Sequence, residues 1–182
     1  MDVTKCMVLT YFLALELSLV SAEYSFRVID TILFSVELSL VSAECPRNWH
    51  RHADSCYLFV TRMRLQWNEA WNFCKNYGGM LAEIDSASEN TFLKSQAKKI
   101  GDSFWLGGAD IIVEGEWEWM SSHRRVSFTD WGPGEPSDAG GTTEHCLDMH
   151  IGLHEAWNDV SCGINYFFIC ERAVGLGGNI FG

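Results

Sequence analysis

The sequence predicts one α+β domain: two helices with small antiparallel sheets and a long irregular loop region, stapled by disulfides. Three observations predict it. Past residue 44 there are six cysteines, at 45, 56, 74, 146, 162 and 170, with no C-x-x-C pair. Such a set reads as a disulfide framework rather than a zinc ribbon or a thioredoxin-type motif, and it requires an oxidising compartment. Two stretches between residues 66 and 100 place apolar residues at helical spacing, whereas the chain beyond reads as short strands. Between those strands lies the turn-rich segment 129–143, with Gly132, Gly134, Gly140 and Gly141; so much irregular chain usually serves function or needs a staple.

Residues 1–44 read as an address rather than as part of the fold. Lys5 precedes the apolar run Met7–Val20, and Val20, Ser21 and Ala22 suit cleavage after Ala22, so 1–22 is expected to be a signal peptide. Glu16 interrupts that run, which is too short for the roughly 20 apolar residues of a membrane span. The octet Glu16–Glu23, ELSLVSAE, recurs unchanged at Glu37–Glu44. Segment 23–44 is therefore a duplicated leader-like piece, and cleavage after Ala43 would also give a clean mature start. The protein is expected to be secreted and extracellular, with a domain over 45–172 and a flexible Gly-rich tail over 173–182.

The net charge is −11. Removing the leader's 2 basic and 6 acidic residues from the totals of 13 and 24 leaves 11 and 18, a charge of −7 that belongs to the domain. Without a basic run there is no electrostatic footing for nucleic acid or for insertion into an anionic membrane. A cationic partner suits this surface better.

Taken in order, Cys56–Val60 reads as a strand with Tyr57 and Phe59 on one side and Leu58 and Val60 on the other. A helix follows over Gln66–Tyr77, with Trp67, Ala70, Trp71, Cys74 and Tyr77 as one buried stripe and Gly78–Gly79 as its stop. Ser86 and Glu89 have capping-box spacing and open a second helix toward Lys99, with Phe92 and Ala97 among its apolar positions and Gly101 as its end. Strands are expected at Phe104–Leu106, Glu116–Trp119, Cys146–His150, Ala156–Asp159 and Tyr166–Glu171. Trp105, Trp117, Trp119 and Trp157 read as core aromatics, Glu116 and Glu118 as a solvated strand face, and the six histidines as surface residues without metal-site spacing.

Several of these features, in this order, resemble the C-type lectin domain. They are Cys45–Pro46, the helix ending in Cys74, the run Phe104–Trp105–Leu106–Gly107–Gly108, the acidic loop Glu135–Pro136–Ser137, Trp157–Asn158–Asp159, and the closing Cys162 and Cys170. The resemblance spans Cys45 to Glu171. Six cysteines allow 15 pairings; the resemblance implies Cys45–Cys56, Cys74–Cys170 and Cys146–Cys162, the first pair being the N-terminal staple of the family's long form. It also implies calcium as cofactor, held at the sugar site by Glu135, Ser137, Glu144, Asn158 and Asp159, with a cis peptide before Pro136. Calcium takes six to eight oxygen ligands, which such residues supply. Sugar hydroxyls would complete the shell and bond Glu135, Ser137, Glu144 and Asn158. An auxiliary calcium site maps onto Asp110, Glu114 and Asp138, with His145 replacing the usual carboxylate.

The implied function is calcium-dependent carbohydrate binding by a secreted lectin, with glycans on cell or microbial surfaces as partners in innate immune recognition. Glu135 is the acidic first residue of the mannose-type triplet, which favours mannose, fucose, glucose or N-acetylglucosamine over galactose. Ser137 departs from the Asn or Asp usual there, and a hydroxyl cannot offer a carbonyl oxygen and an NH₂ donor together. Weak single sites gain strength by multivalency, so a homo-oligomer is compatible with this reading. The alternative is a non-lectin member of the fold that binds protein or calcium carbonate mineral. An enzyme is disfavoured: Glu135 and Glu144 resemble a glycosidase pair, but calcium would hold both ionised, leaving no acid.

Overall fold

The structure, a computed structural model, describes residues 44–137 and 143–174. The expected signal peptide and leader copy, Asp138, and the tail beyond residue 174 lie outside the described residues. In chain order the elements are β1 (His50–His52), β2 (Ser55–Leu65), α1 (Trp67–Asn76), β3 (Met80–Leu81), α2 (Ala87–Ile100), β4 (Phe104–Ala109), β5 (Glu118–Trp119), β6 (Arg124–Arg125), β7 (Cys146–His150), β8 (Ala156–Val160) and β9 (Tyr166–Ala173). A single 3₁₀ turn, Ile151–Leu153, joins β7 to β8.

Both helices form where the sequence places them. Gln66 caps α1, and the Glu69 carboxylate accepts its N–H at 3.1 Å. Trp67, Ala70 and Cys74 of the expected stripe are buried, but Tyr77 is 58% exposed. The helix stops at Asn76, and Tyr77, as its C-cap, keeps its N–H on Phe73 O at 3.0 Å and stacks on the Phe73 ring at the surface with centroids 4.7 Å apart. Ser86 caps α2 by accepting the Glu89 N–H at 3.2 Å. The reciprocal half of the box is absent, because the Glu89 carboxylate accepts instead from Tyr57 and from the Asp85 N–H. Gly101 ends α2 in the left-handed conformation, φ +75°, which only glycine adopts without strain.

The strands depart from the expected small antiparallel sheets. They join in one mixed sheet of nine strands, ordered β1-β2-β9-β4-β5-β6, with β3 also on β9 and the β7–β8 hairpin on β4. All pairs are antiparallel except β4 with β9, where Phe104 and Trp105 face Phe167 and Phe168. A parallel pair needs a long connection, and the chain between Ala109 and Tyr166 supplies it. Trp105, Trp119 and Trp157 are fully buried and Trp117 is 8% exposed, so the four tryptophans are core residues as expected.

The disulfides pair as the resemblance implied, Cys45–Cys56, Cys74–Cys170 and Cys146–Cys162, with sequence separations of 11, 96 and 16. Loop entropy makes the long Cys74–Cys170 link the most stabilising, about 4–5 kcal/mol. It ties α1 to β9, while Cys146–Cys162 closes the base of the β7–β8 hairpin.

A carboxylate network also binds α2 to the sheet. Glu171 on β9 accepts the Ser55 hydroxyl at 2.7 Å and the Glu83 N–H at 3.0 Å. Burial pushes its carboxyl up to about 7, against the pull of those two hydrogen bonds, and the charges of Glu89 and Glu83 add to the rise. A carboxyl raised in the fold holds its proton to higher pH than in the unfolded chain, where it titrates near about 4.3. Its stabilising contribution is full below that value and is lost as pH rises through about 7. Glu171→Gln is therefore expected to flatten the fall in urea midpoint between about pH 5 and pH 8, measured in chelator. An unchanged slope would contradict this.

Candidate functional site

The fold brings Glu135, Ser137, Asn158 and Asp159 to one place through a suture centred on Trp157. The Trp157 N–H donates to Asp130 O at 2.8 Å, and its carbonyl accepts the Gly132 N–H at 2.8 Å. Asp130 is itself held by Asn90 Nδ2 and Lys94 Nζ, both at 2.7 Å. At Gly132 a Cβ would meet Leu153 Cδ1 at 2.7 Å, so any side chain here would have to displace the end of Leu153. The chain then turns through Gly134, φ +92°, into a cis Glu135–Pro136 peptide. The Ser137 N–H donates to both oxygens of Asp159, at 2.9 and 3.0 Å.

Register in the β7–β8 hairpin sets the remaining side chains. Asp148 lies opposite Asn158, and Leu147 opposite Asp159. Asn158 Nδ2 donates to Asp148 Oδ1 at 3.0 Å, which fixes the orientation of the amide. Asp148 is fully buried, and its second oxygen faces His150 Nδ1 at 3.0 Å. Ser103 Oγ stands 3.3 Å from the same nitrogen. Burial pushes the Asp148 carboxyl up, while the His150 and Asn158 hydrogen bonds pull it down.

Whether this site suits calcium is tested by its own electrostatics. Glu135 Oε2 is buried without a hydrogen-bond partner among the described residues. Burial pushes the Glu135 carboxyl up; a hydrogen bond with Ser137 opposes that, and Asp159 and Glu144 reinforce it. Converging carboxylates with an orphaned oxygen fit a divalent cation, which would relieve the repulsion. The group Asp110, Glu114 and His145 is the one set, among the described residues, of three carboxylate or imidazole donors within 4.8 Å of one another.

At the auxiliary position Asp110 and Glu114 do come together, but with His145. His145 Nδ1 lies 3.1 Å from Asp110 Oδ1 and 3.3 Å from Glu114 Oε2. The expectation that the six histidines are exposed surface residues without metal-site spacing is thereby corrected for His145, and His52 and His150 are half-buried as well. Asp138 falls outside the described residues. The sequence reading also missed Asp148, Asn90 and Asp130, which position the loops. An acidic residue in the otherwise buried strand Cys146–His150 was the available signal.

Comparison with known proteins agrees with this fold. The family model for the lectin C-type domain matches residues 63–172. Perlucin of Haliotis laevigata is 38% identical over 131 residues, covering 70% of this chain and 83% of that protein. Among solved structures, the carbohydrate-recognition domain of cow CD23, in the presence of a GlcNAc2Man3 oligosaccharide, aligns with a TM-score of 0.65 and 32% identity over 72% of this chain and 97% of its own. A calcium-independent type II antifreeze protein aligns with a TM-score of 0.64 and 29% identity over 71% and 95%. The chain belongs to the C-type lectin domain family, whose members are non-enzymatic binding proteins. Domains of this family generally bind calcium, although the antifreeze relative does without it.

The Asp148 hydrogen bond holds the His150 imidazole above its ordinary range, with burial opposing and the Asp148 and Glu135 charges adding to the rise. The stabilisation from that pair is full below the unfolded imidazole value of about 6.5 and is lost as pH rises through the raised one. Asp148→Asn is expected to bring the His150 pKa down in an NMR titration. No downward movement would contradict the pairing.

Proposed function

We propose that this domain is a secreted lectin that binds carbohydrate through calcium held by Glu135, Ser137, Glu144, Asn158 and Asp159. The observation that carries the reading is the orphaned, buried Glu135 Oε2 beside Asp159 and an Asn158 amide whose oxygen faces away from its Asp148 anchor. Calcium, when bound, supplies a Lewis-acidic centre with positions for two neighbouring sugar hydroxyls. Glu135 and Glu144 offer carboxylate acceptors to those hydroxyls, and the second Asn158 N–H is a donor for them. Asp148 fixes Asn158, and the Ser137 N–H fixes Asp159.

The preferred sugars are of the mannose class, including fucose, glucose and N-acetylglucosamine, on cell or microbial surfaces, which would suit innate immune recognition. Glu135 supports that class, and the alignment with CD23 in the presence of a mannose-containing oligosaccharide supports it further. Three disulfides support secretion, since such bridges persist in oxidising compartments. Among the described residues no helix is long and apolar enough to cross a membrane. A second reading, binding of protein or a mineral surface without sugar, draws on Ser137 and on the calcium-independent antifreeze relative.

Retention on a mannose resin separates the two. The chain is expected to bind in calcium and elute in chelator. Glu135→Gln and Asp159→Ala should each abolish retention, and Ser137→Asn should strengthen it. Retention that ignores chelator, or a weaker Ser137→Asn variant, would favour the second reading. Asp148→Ala, which touches calcium only through Asn158, is expected to weaken calcium binding by about 10–100-fold in calorimetry. An unaltered affinity would count against its role.

A further inference from the structure

The resemblance implied calcium at Asp110, Glu114 and Asp138, but the donors described at this position include a nitrogen. Calcium takes oxygen ligands, yet the described donors are two carboxylates and an imidazole nitrogen. Nitrogen beside carboxylate suits zinc and its neighbours instead. We infer that Asp110, Glu114 and His145 form a zinc-type metal site, distinct from the calcium and sugar loop.

The donor separations are compatible with a small tetrahedral ion. Zinc binds nitrogen and oxygen at about 2.0–2.1 Å, which places neighbouring tetrahedral ligands about 3.3 Å apart. His145 Nδ1 stands 3.1 Å from Asp110 Oδ1 and 3.3 Å from Glu114 Oε2. Two donors are fixed before any ion arrives. Asp110 lies just past the end of β4, with its side chain 1% exposed and Oδ2 accepting the Gly115 N–H at 2.9 Å. The Asp110 N–H donates to His145 O at 3.2 Å, so both residues ride on adjoining strand ends. Glu114, with its side chain half exposed, is the ligand at the mouth. The three described donors supply three of the four positions of a tetrahedral zinc shell.

The position also separates the two sites by chemistry along one short stretch: Glu144 belongs to the calcium set, and the next residue, His145, to this one. A carboxylate at 145 would return the trio to all-oxygen character.

Zinc uptake by the full chain, stripped of metal with chelator and then dialysed, tests this, with cobalt(II) as a visible-absorbance probe of tetrahedral nitrogen and oxygen ligation. One zinc per chain is expected, with an intense tetrahedral cobalt spectrum displaced by zinc. His145→Ala, His145→Gln and Asp110→Asn should lose both, whereas Glu135→Gln, which disables the sugar loop, should keep both. His145→Glu should lose zinc and take up one calcium more than the parent. Near-ultraviolet circular dichroism confirms that each variant is folded. The inference is overturned if the parent chain takes no zinc, if folded His145→Gln keeps it, or if the parent fills this position with calcium that zinc does not displace.

Discussion

Everything at the binding end of this domain hangs on Trp157. Its ring is fully buried against Trp119, Phe128 and Trp131, and its indole N–H donates to Asn90 on α2. Its backbone meanwhile clasps Asp130 and Gly132 from the loop. One residue thus joins the helix, the sheet and the irregular segment, and the next two along the strand are Asn158 and Asp159, the proposed cation ligands. Burying a tryptophan is worth several kcal/mol, enough to fix a strand whose neighbouring carboxylates repel one another.

That repulsion is the second constraint. Glu135, Glu144 and Asp159 form a charged, partly desolvated group that the proposed cation would complete. Asp148 shows how the fold prepares for it: a carboxylate fully inside the sheet, offset by His150, whose purpose is legible in the orientation of the Asn158 amide. The auxiliary trio answers a similar problem differently. There an imidazole already stands between two carboxylates, and the softer donor changes which ion the place suits.

Much of this was legible in the sequence, for physical reasons that differ from element to element. The helices announced themselves through 3.6-residue spacing and through local stop and start chemistry at Ser86 and Gly101, which depends on near neighbours alone. The tryptophans were legible as core because bulk and apolarity decide burial. Tyr77 was misjudged because its helix ended one residue earlier than its stripe. Sheet connectivity was not legible: the parallel β4–β9 pair joins residues about sixty positions apart, and periodicity carries no register at that range. The disulfide pairs and loop ligands came from family resemblance. Asp148, Asn90 and Asp130 escaped notice because each acts through another residue, and His145, placed at the auxiliary position by resemblance, was not read as a donor because its partners lie in a different strand and turn.

The central claim is that calcium at Glu135, Glu144, Asn158 and Asp159 is what receives sugar. A crystal structure grown with calcium and methyl mannoside tests it most directly. The account predicts one ion within coordination distance of those four residues, with two sugar hydroxyls completing its shell and Asn158 still anchored on Asp148. Sugar bound away from that ion, or the four residues left without one at saturating calcium, would contradict it.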